Sequence, residues 1–268
     1  MKGKILTIAG SDPSGGAGIQ ADIKTISSLG GYAMTAITAI TVQNTNTVSE
    51  VFEVPSSIVK SQIIAVLGDI GVDVIKTGML LSLDIIQSLS DVLRDQCNNI
   101  PLVVDPVMVS TSGGVLLNSN CIDALISDIF PKSLLLTPNL AEASKLTGIE
   151  LLRNLDDMRR AADDILKMGP DAVLVKGGHL KGDTLTDLLV TQSSEKIFTS
   201  IRVPGKNNHG TGCTLASGIA TGLAQGLNLE DAIVRARKFV YKALEQAPNF
   251  GAGCGPINHL EDKFYHPH

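Results

Sequence analysis

Along the chain, short apolar runs alternate with longer stretches in which apolar residues recur every three or four positions. The runs KILTIAG, AMTAITAITV, DVIKTGM, PLVVDPV, SLLLTPN and AVLVKGG are rich in β-branched residues and close on glycine or polar residues. Their length and composition predict buried strands. Between them lie IQADIKTISSL, IVKSQIIAVLGDI, LDIIQSLSDVLRD and DDMRRAADDILKMG, and later TLASGIATGLAQGL, all with helical spacing. This alternation predicts βαβ units, hence an α/β fold with a mostly parallel central sheet flanked by helices on both faces. Two segments break the rhythm: VSEVFEVP predicts an added strand, and TDLLVTQSSEKIFTSIRVP predicts a hairpin turning at Gln192–Ser194. No Pro- or Ser-rich linker divides the chain and no fixed period repeats, so residues 1–268 are expected to form one domain.

In open parallel sheets, ligands collect at the carboxyl ends of strands. The polar and glycine clusters fall there: Gly10–Gly18, Gln43–Asn46, Asp105–Met108, Thr137–Glu142 and Lys176–His179. The segment HGTGC, His209–Cys213, runs straight into a helical stretch. A helix's first N–H groups lack internal partners and carry positive partial charge. With Gly210 and Gly212 offering no side chains, the turn is predicted to hold a phosphate or an oxyanion. The same field is expected to lower the pKa of the Cys213 thiol. Cys213 is then either a reactive group facing bound phosphate or a small filler beneath the loop, and the GTGC context favours the first reading.

The other clusters are less specific. Gly10–Gly18 has no Lys-Ser/Thr after its glycines and lacks GxGxxG spacing, so it is neither a P-loop nor a dinucleotide fingerprint. It is read as a polar-ligand loop at a helix N-terminus or as a plain tight turn. Glu142 and Asp105 suit a Mg²⁺ ion held through water, although Glu142 equally suits dipole complementation at the start of a helix. Lys176 is a phosphate contact or a solvated strand end.

Composition narrows the setting. A formal charge of −5 with no basic stripe argues against nucleic-acid binding. No stretch approaches the roughly 18 apolar residues of a membrane helix. The four cysteines form no CxxC, so zinc or disulfide frameworks are not expected, and a reducing cytoplasm is the expected home. His259, His266 and His268 have no ligand spacing, and the terminal HPH is expected to be a flexible tail.

Together the runs LTIAGSDPSGGAGIQADIKT, TAITVQNT, IKTGML, VVDPVM, LTPNLAEA, VLVKGGH, NNHGTGCTLASGIA and GPINHLE resemble the ribokinase-like superfamily. Within it, their order over nearly the whole chain is similar to the hydroxymethylpyrimidine/phosphomethylpyrimidine kinases of thiamin biosynthesis. Two positions depart from that pattern: Asn208, commonly Thr, and Cys254, frequently His. The resemblance implies ATP-dependent phosphorylation of 4-amino-5-hydroxymethyl-2-methylpyrimidine, then of its monophosphate to the pyrophosphate. It also implies an anion hole of Gly210, Thr211, Gly212 and Cys213. A hydroxymethyl nucleophile must also lose a proton, and Cys213, the ionisable side chain of that loop besides His209, is read as its general base. Lys176 and Thr137 are placed on the nucleotide side, Asp105 and Glu142 near Mg²⁺, and Gly10, Ala17, Asp22, Val42, Gln43 and Met79 around the pyrimidine. Homodimers are usual in the family.

The nearest alternative is a pyridoxal kinase, with the same reaction on a pyridine. Gln43 discriminates, because a side-chain amide offers a donor beside an acceptor, matching an aminopyrimidine edge that pyridoxal lacks. A non-catalytic sensor of a vitamin precursor is the alternative from a different class. Its mark is loss of Cys213, Lys176 or Glu142, and all three are present.

Overall fold

Along β1 (Lys4–Ser11), Ile5 faces one apolar layer while Leu6 and Ile8 face another, as the two-residue repeat of a doubly buried strand requires. The computed structural model describes residues 1–108, 117–178 and 182–260. Eight further strands follow: β2 (Tyr32–Gln43), β3 (Val48–Glu53), β4 (Val74–Thr77), β5 (Leu102–Val104), β6 (Leu135–Leu136), β7 (Ala172–Lys176), β8 (Thr184–Thr191) and β9 (Glu195–Ile201). They form one sheet in the order β3-β2-β1-β4-β5-β6-β7-β8-β9. The strands from β2 through β7 pair in parallel, whereas β3 at one edge and the β8–β9 hairpin at the other are antiparallel. Both additions fall where the sequence pattern breaks, and the hairpin turns at residues 192–194.

One face of the sheet is covered by α1 (Gly18–Ser28), α7 (Thr211–Ala224) and α8 (Leu229–Glu245). There Ile5, Val74, Val103 and Leu174 meet Ile26, Leu215, Ile219 and Ile233. On the opposite face lie α2 (Ser56–Asp69), α3 (Leu83–Gln96), α4 (Ser119–Ala124), α5 (Leu140–Thr147) and α6 (Leu155–Leu166). Their Ile63, Ile85, Leu89 and Ile165 pack on Leu6, Ile8, Ile75 and Val104. Helix α8 is absent from the sequence reading, although Asn228 caps it and Ala232, Ile233, Ala236, Phe239 and Ala243 bury one stripe. Among the described residues no helix is long and apolar enough to cross a membrane. His179, His266, His268 and the predicted tail lie outside the described residues.

Candidate active site

The HGTGC turn owes its shape to Gly210, the N-cap of α7, at φ +86°. That left-handed backbone suits glycine, and a Cβ there would overlap the Gly16 carbonyl. The turn therefore seats directly on the loop entering α1. No side chain caps α7, and its first residues, Gly210, Thr211, Gly212 and Cys213, line a cleft of about 1540 Å³.

Three parallel strands deliver charge to this point. Lys176, ending β7, donates to Asp105 Oδ1 at 2.8 Å, just beyond β5. A methyl group on Gly212 would sit 3.3 Å from Lys176 Nζ and 3.6 Å from Asp105 Oδ2, so the α7 N-terminus, the ammonium and the carboxylate converge. Glu142, in the first turn of α5, closes a capping box: Asn139 N–H donates to its Oε2 at 2.8 Å, and its own N–H donates to Asn139 Oδ1 at 2.9 Å. Burial and the Asp105 charge push Glu142 up to about 7, against the pull of Lys176. Thr137 corrects the sequence reading. Fully buried, it sits behind Asp105, 3.3 Å from Oδ1, rather than on the cleft wall. Among the described residues, no group of three or more His, Cys, Asp or Glu side chains is placed to hold a metal.

The opposite wall is built from the loop after β1. Asp12 is buried; its Oδ1 accepts from Ser14 N–H (2.9 Å) and Oγ–H (2.7 Å), and its Oδ2 from Ala17 N–H (2.9 Å). His209 Nε2 lies 2.8 Å from the same Oδ2 and 3.3 Å from Gln43 Nε2. Burial opposes ionisation of Asp12, but the bonds from His209, Ser14 and Ala17 outweigh it and bring its pKa to about 2. Gly10, Ala17, Gln43 and Met79 line the cleft beside this group. Val42 does not: it is 54% exposed and lies on the opposite side of β2 from Thr41 and Gln43.

Asp22 is a second correction. It lies beneath the cleft, fully buried, where both its oxygens meet Lys76 Nζ at 2.8 and 2.9 Å and Thr7 and Ser217 also donate to it. Lys76 comes from the middle of an apolar strand and needs such a partner. Above this pair lies Cys213, partly open to the cleft but packed round below. Its thiol is pushed up to about 11, opposite to the expected direction. Burial is the main cause, and Asp22 and Asp105 add to it, outweighing Lys76 and the Gly18 N–H.

Several contacts escaped the sequence reading. Asp12 and His209 are 197 positions apart. Asp187, also lining the cleft, accepts from Gly177 N–H at 2.9 Å and from Arg237 of α8, whose pKa burial lowers to about 10. The segment after α8 returns to brace the anion loop. There His209 N–H donates to the Gly255 carbonyl (3.1 Å), and His259 Nε2 lies 2.8 Å from Thr214 Oγ1. The two departures from the family pattern also touch, Cys254 Sγ lying 2.7 Å from Asn208 Oδ1.

The pattern of the phosphomethylpyrimidine kinase family matches residues 12–258. A hydroxymethylpyrimidine/phosphomethylpyrimidine kinase of Rhizobium meliloti is 45% identical over 95% of this chain and 96% of its own. The thiamine biosynthesis bifunctional protein ThiED of Geobacter sulfurreducens is 44% identical over 97% of this chain, which spans 52% of that protein. Among solved structures, the Staphylococcus aureus pyridoxal kinase with AMP-PCP and pyridoxal superposes at a TM-score of 0.89. It is 37% identical over 97% of this chain and 94% of its own. A phosphomethylpyrimidine kinase of Clostridium difficile reaches 0.80 with 43% identity, over 91% of this chain and 100% of its own.

Proposed function

The chain belongs to the phosphomethylpyrimidine kinase family, and from that footing we propose how its cleft phosphorylates 4-amino-5-hydroxymethyl-2-methylpyrimidine and then the resulting monophosphate, with ATP as donor, in thiamin biosynthesis. The observation that carries the assignment is the convergence of the α7 N-terminus, Lys176 and Asp105 within a few ångströms of Gly212. Phosphoryl transfer through a loose transition state asks mainly for positioning and for stabilisation of charge on the moving group. The N–H groups of Gly210–Cys213 and the Lys176 ammonium supply both. The nucleotide extends from this point along the wall of β9 and α8, where Ile201, Val203, Val234 and Tyr241 offer an apolar shelf.

Asp105 and Glu142 fit a Mg²⁺ ion held largely through water. Two buried carboxylates share a single ammonium, and burial together with the Asp105 charge raises Glu142, a strain that a divalent cation relieves. Bound there, Mg²⁺ supplies charge neutralisation for the triphosphate. Cys213 is assigned to the alcohol's proton, from the small thiolate fraction that a pKa of about 11 leaves at neutral pH. The pyrimidine sits against Gly10, Ala17, Met79 and Gln43. Ile40 and Phe52, cross-strand partners, together with Val42, expose one apolar face of β2–β3, which we assign to a homodimer in the cytoplasm.

The test is ADP release by purified protein with the hydroxymethylpyrimidine, its monophosphate or pyridoxal. Turnover of both pyrimidines is expected. Turnover of pyridoxal alone overturns the assignment in favour of the second reading, which the likeness to the S. aureus pyridoxal kinase supports.

A further inference from the structure

We propose that Asp12 acts through His209 to fix which way the Gln43 side-chain amide points, and so sets the order in which a donor and an acceptor are offered to the phosphate-accepting substrate. The argument is a count of hydrogens. Asp12 is ionised and accepts only. Its contact with His209 Nε2, at 2.8 Å, is therefore a bond that Nε2 donates, and that nitrogen carries a hydrogen. A ring nitrogen bearing a hydrogen cannot accept another. With the Gln43 amide nitrogen 3.3 Å from Nε2, two N–H groups would oppose each other.

A second conflict arises at the other end of the same amide. Thr41 Oγ1 has one hydrogen, and the Ser11 carbonyl 3.0 Å away can only accept it. The Gln43 oxygen, 3.3 Å from Thr41 Oγ1, would then face lone pairs. The two conflicts share no partner outside Gln43. Both vanish when the amide is turned half a revolution, and oxygen and nitrogen positions in an amide are fixed only by such hydrogen-bond logic. Gln43 Oε1 then takes the longer arm, 3.3 Å, of the one Nε2–H that His209 donates chiefly to Asp12, and Gln43 Nε2 donates to Thr41 Oγ1. The ring packs directly on Gly16, where a Cβ would overlap its Cδ2, and the backbone N–H of His209 is tied to Gly255. One N–H and one lone pair of Gln43 remain for a ligand, in a fixed order.

Asp12 is thus a positioning residue and His209 the relay. The choice of substrates below rests on the kinase reading, whereas the tautomer measurement does not. Nitrogen-15 shifts of histidine-labelled protein, with His209 assigned by its absence in His209→Gln, report where the hydrogen sits. A hydrogen on Nε2, in a neutral ring or an imidazolium, is expected; a ring carrying its hydrogen on Nδ1 alone overturns the proposal. In folded Asp12→Asn the Nε2–H population should fall, and an unchanged population overturns the role of Asp12. Should Asp12→Asn fail to fold, His209 variants carry the test. Glutamine at 209 can present its NH2 group near the Nε2 position, held in that orientation by the ionised Asp12. His209→Gln should hold the preference for the aminopyrimidine alcohol over pyridoxal within about threefold, while His209→Ala lowers it roughly tenfold or more. Equal loss in both variants overturns the donor role. If the wild type shows Nε2–H yet does not phosphorylate the aminopyrimidine, the kinase reading fails and the relay stands.

Discussion

On one wall of the cleft a buried carboxylate is held at a pKa of about 2; on the other, a more deeply enclosed carboxylate is pushed up to about 7. Asp12 is surrounded by donors and stays charged at little cost. Glu142 shares one ammonium with Asp105, so its negative charge is only partly met. A carboxylate's state therefore follows the balance between burial, the largest cause at Glu142, and the hydrogens and charges aimed at it, which win at Asp12. The charge of the Asp12 wall is met without a cation, while one N–H and one lone pair of Gln43 stay open for a ligand, as suits a specificity surface. The Glu142 wall holds surplus negative charge, as suits a surface that binds a cation and phosphates together.

Cys213 stands between the two walls, and its removal should have the largest effect. In the first phosphorylation an alcohol must lose its proton, and general-base help is typically worth about 10²–10⁴-fold. In the second, the phosphate nucleophile is already ionised, since its second pKa is about 6. Cys213→Ala should lose most of the first activity and keep a far larger share of the second. With the thiol at about 11, the first rate should also climb from pH 7 towards pH 9 in wild type alone. An equal fall in both steps, or a flat profile, would show that Cys213 shapes the loop instead of moving a proton.

Next comes the charge balance of the unfinished wall. Lys176→Met leaves Asp105 and Glu142 without their cation, and breaking a buried pair costs roughly 3–5 kcal/mol. Chemical denaturation should show that loss, partly recovered by adding Asp105→Asn. No recovery would mean that the methylene stem of Lys176, rather than its charge, supports the site. Gln43→Met probes the finished wall. The expected loss is roughly 1–3 kcal/mol of aminopyrimidine use, with pyridoxal use spared. If both substrates suffer alike, Gln43 only supports the loop.

The smallest effect is expected from Glu142→Gln, which can keep the capping box. Because folding raises this pKa from 4.5 to about 7, the glutamate's contribution to stability is fully present below 4.5 and is lost as pH rises through 7. The variant should therefore gain on wild type in unfolding midpoint between pH 5 and pH 8, while needing more Mg²⁺ for turnover. A stability difference that does not change with pH would remove Glu142 from the charge imbalance.

Much of this fold is legible in the sequence, because each strand and helix writes its own period locally. The β3 edge strand and the turn at residues 192–194 were marked by breaks in that period. Sites made by distant residues were not legible in the same way. Nothing near Asp12 announces His209, and nothing near Asp22 shows that Lys76 will bury its ammonium against it. A lysine amid the apolar run DVIKTGM was nevertheless a signal that some buried acid must exist. The Cys213 thiol went the wrong way for a related reason. The helix N-terminus is written in HGTGC, but the burial that opposes it, and the Asp22 and Asp105 charges that add to that burial, come from other strands and helices.

The bracing of His209 by Gly255, and of Thr214 by His259, also fixes a schedule. Ribosomes make chains from the amino end, so every other described part of the cleft is synthesised before its catalytic turn receives these struts. A message that stops just after α8 would encode the whole sheet and both flanking layers with the turn unbraced. Such a truncated protein should keep its secondary structure by circular dichroism and lose turnover. Adding a synthetic peptide of residues 249–260 should restore part of that turnover, as the two pieces of a split enzyme would.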